Sequence, residues 1–271
     1  MWLVLGVASI AALSIFGGMP IARSRRLSEH TRSVLTAAAV GILLYLFYDL
    51  FASAHDLAVS FLPNVGATAS VALEFAGGAA VGGLALPASI EWVACRRARS
   101  SARSTTALAS APPVPSPALA PIQVSTLTAL AIGVHNFSEG LVVGIAIASG
   151  LVGLSLLLCV GVIAHKSAEG YCICGCAPGA SQEFSTRQLV VLGAIGGGPV
   201  VAGALLGTVV GGSVSVLVAA YGLAVGAILS VIIQMLGTGL LRIPRSVLVG
   251  GILLGLFCAF GSDVTLAVAG L

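Results

Sequence analysis

The chain has 271 residues, 58% hydrophobic and 8% charged, with a mean hydropathy of +1.12. Soluble domains carry about 25% charged residues, so this composition excludes a soluble enzyme or nucleic-acid binder and indicates an integral membrane protein. The net charge of +3 identifies no partner until the charges are placed along the chain.

A helix crossing the bilayer core needs about 20 apolar residues. Eight stretches meet that need: 2–21, 33–54, 68–90, 124–149, 151–177, 188–210, 214–240 and 246–268. They are long continuous runs, unlike the short alternating segments of a membrane β-barrel. Small residues recur at spacing four, as in Gly203, Gly207 and Gly211, which suits close helix packing in lipid. The expected fold is an all-α membrane protein with eight transmembrane helices, forming a single transmembrane domain over 1–271.

The arginines orient it. Arg23, Arg25, Arg26 and Arg32 fall between stretches 1 and 2, and Arg96, Arg97, Arg99 and Arg103 between 3 and 4. Arg187 falls between 5 and 6, and Arg242 and Arg245 between 7 and 8. With eight spans these connections share one side. The positive-inside rule makes that side cytoplasmic and puts both termini outside. The first stretch lacks a basic leader and is read as a span. Residues 94–123, four Arg followed by a Pro/Ser/Ala run, read as a disordered cytoplasmic linker.

Ionisable side chains inside a bilayer are costly and mark function. Stretch 4 carries His135-Asn136-Phe137-Ser138-Glu139-Gly140, and stretch 5 carries His165-Lys166-Ser167-Ala168-Glu169-Gly170. Each His and Glu are four apart and share a helix face. The turn between the helices is placed at Gly150 and Leu151, so both pairs sit at one depth, about 20 Å below it at 1.5 Å per residue. Two imidazoles and two carboxylates suit Zn, Fe or Mn. Neutral imidazole binds metal and protonation releases it, so acid weakens binding. The competing structural reading pairs Glu139 or Glu169 with Lys166. A second functional reading is a transporter or channel for another substrate, with the His/Glu/Lys cluster as a proton relay.

These features resemble the ZIP (Zrt-/Irt-like) family of divalent metal transporters, in its bacterial GufA-like branch. The resemblance rests on eight spans with outside termini, a long cytoplasmic loop after span 3, and the HNFSEG and H-x-x-x-E-G motifs. It implies a 3+2+3 arrangement, with spans 1–3 and 6–8 as inverted repeats around the span 4–5 hairpin. It also implies metal movement toward the cytoplasm, a homodimer and a two-metal site. His135, Asn136 and Glu139 match the span 4 ligands, and His165 and Glu169 those of span 5. Lys166 stands where the family often has Asn or Asp, and Gly198 where it often has Glu before Pro199. Both changes remove ligands of the second metal. The Lys166 ammonium is expected either to repel the cation, so that transport is lost or altered, or to replace that metal, with Gly198 leaving it room. One ion per subunit is then held mainly by His135, Glu139, His165 and Glu169.

Asp49, His55, Asp56, Glu74 and Asp263 gather toward the side without Arg, either as an electronegative mouth for cations or as ordinary interface residues with no shared role. Asp49 and Glu74 lie deepest and are assigned to the pathway. Cys172, Cys174 and Cys176 follow Glu169 toward the cytoplasm, either as an exit relay or as small apolar packing residues. Gln234 and Met235 border the pathway or simply pack, and Pro87 and Pro199 are expected to interrupt their helices. No phosphate-binding loop of the G-x-x-x-x-G-K-[ST] type occurs, so transport is not ATP-driven by this chain. The chain carries no legible nucleophile with an oxyanion donor, hence no enzyme and no prosthetic group. The expected partners are the divalent cation (Zn, or Fe, Mn or Cd), the lipid of the cell (inner) membrane and a second copy of the chain, with no nucleic acid.

Overall fold

The structure is a computed structural model and describes residues 2–24, 26–61, 69–84, 88, 92, 121–148, 150, 165–175, 184–210, 214–238, 240 and 243–268. Among these, regular structure is helical throughout: α1 (Trp2–Ser14), a 3-10 turn (Ile15–Gly17), α2 (Met19–Arg23), α3 (Glu29–Phe61), α4 (Ala69–Leu84), α5 (Pro121–Ala148), α6 (165–175), α7 (Thr186–Gly197), α8 (Pro199–Val210), α9 (Val214–Thr238) and α10 (Arg245–Val268). Lipid offers backbone groups no hydrogen bonds, so a helix, which satisfies them internally, is the element these apolar runs form.

Six of these segments are long and apolar enough to cross a membrane: Trp2–Arg23, Glu29–Val59, Pro121–Ala148, Thr186–Val210, Val214–Leu236 and Arg245–Thr265. They coincide with the first, second, fourth, sixth, seventh and eighth apolar stretches. Of the third stretch, the described helix is α4, and of the fifth it is α6. Most of the expected linker lies outside the described residues, as do Leu151, Pro87, Cys95, Cys159, Cys176, Gly211 and Arg242. Residues 121–123, assigned above to the linker, begin α5.

Helix ends follow local chemistry. Ser185 caps α7: its hydroxyl accepts from the Gln188 amide at 3.3 Å, and the Ser185 amide donates to Gln188 Oε1 at 2.8 Å, a reciprocal capping box. Ser28 accepts from the Thr31 amide before α3. The Arg32 guanidinium donates back to the carbonyls of Ala22 and Ser24, satisfying orphan acceptors at the end of α2.

Glycine fixes the packing. Gly140 and Gly144 of α5 lie against Val200 and Ala204 of α8, while Gly203 and Gly207 of α8 lie against Phe137 and Leu141 of α5. The two helices run parallel, and the expected small-residue row at Gly203 and Gly207 is where they touch. Gly78 and Gly82 of α4 meet Ala219 and Leu223 of α9, and Gly222 and Gly226 of α9 meet Phe75 and Ala79 of α4. Gly41 of α3 meets Ile252 of α10, and Gly251 and Gly255 meet Ala37 and Ala38. These pairs are parallel too. A β-carbon at Gly203 would overlap the Phe137 carbonyl and stand 3.0 Å from the Leu141 amide nitrogen. Gly203→Val is therefore expected to cost about 3 kcal/mol or more by forcing the backbones apart. The check is a lowered melting temperature or loss of a monodisperse peak in detergent.

The α7–α8 junction is a kink. Pro199 has no N–H to offer the carbonyl of Ile195, yet Gly198 stays in the right-handed helical region and donates to the Ala194 carbonyl at 2.9 Å. α1 loosens into its 3-10 turn directly opposite, with Ala12 and Ile15 against Gly197 and Phe16 against Gly193.

Candidate metal centre

α5 and α6 run antiparallel. Glu139 faces His165, and His135 faces Glu169, the pairing expected from equal depth. One donor atom from each of His135, Glu139, His165 and Glu169 falls within 4.8 Å of every other. His165 Nε2 hydrogen-bonds Glu139 Oε1 at 2.9 Å. His135 Nε2 lies 2.9 Å from Glu139 Oε1 and 3.4 Å from Glu169 Oε1. Donors around a tetrahedral zinc with bonds near 2.1 Å stand about 3.4 Å apart, so the four need only small shifts to hold one ion.

His135 is the telling residue. Its side chain is 1% exposed, and neither ring nitrogen makes a hydrogen bond. Nε2 is close to both carboxylates but out of line, and proximity without alignment leaves a nitrogen unsatisfied. A buried imidazole in that condition is costly in an apolar protein and is what a metal ligand requires.

The two carboxylates are divided between two neighbours. Their Oε1 atoms face the histidines, while Lys166 Nζ donates to Glu139 Oε2 and, at 3.2 Å, to Glu169 Oε2, with a longer contact to Glu169 Oε1 at 3.4 Å. The Lys166 side chain is fully buried. Its ammonium also donates to Asn136 Oδ1, and Asn136 Nδ2 donates to the Gly196 carbonyl at 2.7 Å. Lys166 thus occupies a position that bridges both carboxylates. A β-carbon built at Gly198 would meet only Ala194 within 4 Å.

Asp49 on α3 is half-buried and within electrostatic reach of His165, Glu139 and Asp263. Tyr45, one turn away on the same helix, donates to Asp263 Oδ2 at 2.6 Å. These groups form a polar track from the exposed Asp263 to the His/Glu cluster. Side-chain exposure is 14% at His165 and 10% at Glu139. His55 and Asp56 form an exposed pair at 3.3 Å. Glu74 is not in the group of four donors. It lies on α4 with Oε2 buried and without a hydrogen bond.

On the other side the cluster is sealed. Tyr171, Cys172, Ile173 and Cys174 are all buried in the main apolar core, which favours the packing reading of those thiols. The Tyr171 hydroxyl donates to the Arg32 carbonyl at 3.2 Å and lies 3.3 Å from the Thr36 hydroxyl. Gln234 donates to Val124 and Thr128 of α5, and Met235 packs in the core. Sequence reasoning missed the roles of Tyr45, Tyr171 and Gly196. No pattern in the chain signals them, because each depends on how its helix is rotated.

No protein-family model matches the chain, and no curated protein resembles it in sequence.

Proposed function

We propose that this chain transports divalent transition-metal cations, zinc foremost, across a cell membrane toward the cytoplasm, one ion at a time through the His135/Glu139/His165/Glu169 site. The observation that carries the proposal is His135: fully enclosed, with both nitrogens unsatisfied, facing two carboxylates and a second imidazole. The cation is cargo rather than a resident cofactor, and no catalytic group is assigned. Fe, Mn and Cd fit the same donors.

Lys166 serves as the fixed cation where a second ion would bridge the carboxylates. Asp49 conducts the ion from an electronegative mouth that includes Asp263, and Glu74 is placed on the same approach. In this reading the chain makes eight passes in a ZIP-like arrangement with both termini outside, and works as a homodimer. The helix directions support the eight passes. α3, α5, α7–α8 and α10 run one way, and α1, α4, α6 and α9 the other, so direction alternates along the chain. The described arginines Arg23, Arg26, Arg32, Arg187 and Arg245 then share one end of the bundle.

The test is reconstitution in liposomes with a zinc-sensitive dye inside. Wild type is expected to take up zinc, and Glu169→Ala to lose at least about 90% of the initial rate, since removing one of four ligands costs well over 1.4 kcal/mol of binding. Proton flux that needs no metal, with no zinc uptake, would instead establish the relay reading built on the hydrogen-bonded run His165–Glu139–Lys166–Glu169.

A further inference from the structure

The family resemblance makes Asn136 a metal ligand. The geometry points elsewhere. Its side chain is fully buried, and both ends of its amide are used. Nδ2 donates to the Gly196 carbonyl, which can only accept. Oδ1 accepts from the Lys166 ammonium, which can only donate. These partners fix the amide orientation, because a flip would oppose donor to donor and acceptor to acceptor. Oδ1 already carries the ammonium on one lone pair, and a divalent ion on the other would stand directly against that buried positive charge.

The position of the amide is set from outside the site. Gly196 lies in the turn of α7 just before Pro199. Gly133, one turn before Asn136 on α5, packs against Ile195 and Pro199. Asn136 therefore ties Lys166 to α7, and the ammonium sits nearer to Oε2 of each carboxylate than to the Oε1 atoms that face the histidines, reaching among these only Glu169 Oε1, at 3.4 Å.

We propose that Asn136 is a positioning residue for Lys166 and not a ligand of the transported ion: it holds the ammonium off the metal position. This rests on the reading of the cluster as a cation site. Without the amide, the ammonium loses Asn136 Oδ1 as an acceptor and moves further onto the Oε1 atoms, of which it already reaches that of Glu169, and there it competes with the ion.

The experiment is a double-mutant cycle on zinc affinity, measured by calorimetric titration of detergent-purified protein. Asn136→Ala is expected to raise the zinc Kd about tenfold in the wild-type background and by less than about twofold in Lys166→Met, because its effect passes through the lysine. Asn136→Ser repeats the comparison with a smaller cavity if the alanine variant does not purify. An equal rise in both backgrounds makes Asn136 a ligand and overturns the inference alone. A wild type that binds no divalent cation overturns the transport reading and this inference with it.

Discussion

Lys166→Met is expected to destabilise the zinc-free protein by about 3 kcal/mol, or roughly 6–12 °C in melting temperature, and added zinc is expected to recover most of that loss. The lysine is the one fixed positive charge among two buried carboxylates. Removing one partner of a buried ionic group leaves the others uncompensated, and a divalent ion can take over the neutralisation. Thermal unfolding followed with and without saturating zinc provides the check. A variant as stable as wild type without zinc would show that the ammonium is not what balances the pair. Lys166→Asn adds a second readout. It frees the bridging position and supplies an amide oxygen there, so bound zinc is expected to rise from one ion per chain to two. Two ions in the wild type would refute the single-ion reading outright.

His135→Leu should separate ligand from scaffold. Leucine has nearly the volume of histidine and no polar atoms, so it removes two nitrogens that make no hydrogen bond in the folded chain. Folding stability is expected to stay within about 1 kcal/mol of wild type, because an apolar replacement of an unsatisfied buried group of similar shape is nearly neutral. Zinc affinity is expected to fall by about 100-fold, 2.7 kcal/mol, with one of four ligands gone. Calorimetric titration and thermal unfolding on the same preparation measure both quantities. A large loss of stability with little loss of affinity would make His135 a structural residue.

Much of this arrangement was legible because membranes impose simple rules. Length and apolarity located six spans to within a few residues, apart from α3, which extends several residues past the expected run at both ends. The placement of Arg23, Arg32, Arg187 and Arg245 agrees with the helix directions. Depth was legible from counting residues to the turn near Gly150, which put the His135/Glu139 and His165/Glu169 pairs at one level. What hydropathy does not carry is rotation about each helix axis. In a chain this uniformly apolar, the face a helix buries is set by where glycine permits contact. The Asn136–Gly196 bond and the Tyr45–Asp263 bond both follow from that rotation. The loosening of α1 at Ile15–Gly17 was likewise hidden, since Gly17 and Gly18 read as two more small residues in an apolar run.

The glycine contacts divide the described helices into groups. α1, α5, α6, α7 and α8 are sealed to one another, through Gly170 against Ile15, Gly193 against Phe16, and the α5–α8 row. α3 is sealed to α10, and α4 to α9, while no glycine seals either pair to the first group among the described residues. Backbones in such intimate register resist sliding, so relative motion is expected instead where α3 and α9 meet α5 and α6 through side chains. All four donors and Lys166 lie on one side of that boundary, and Asp49 lies on the other. On the proposed transport reading, a displacement along it would part a captured ion from Asp49 without breaking a bond inside the cage.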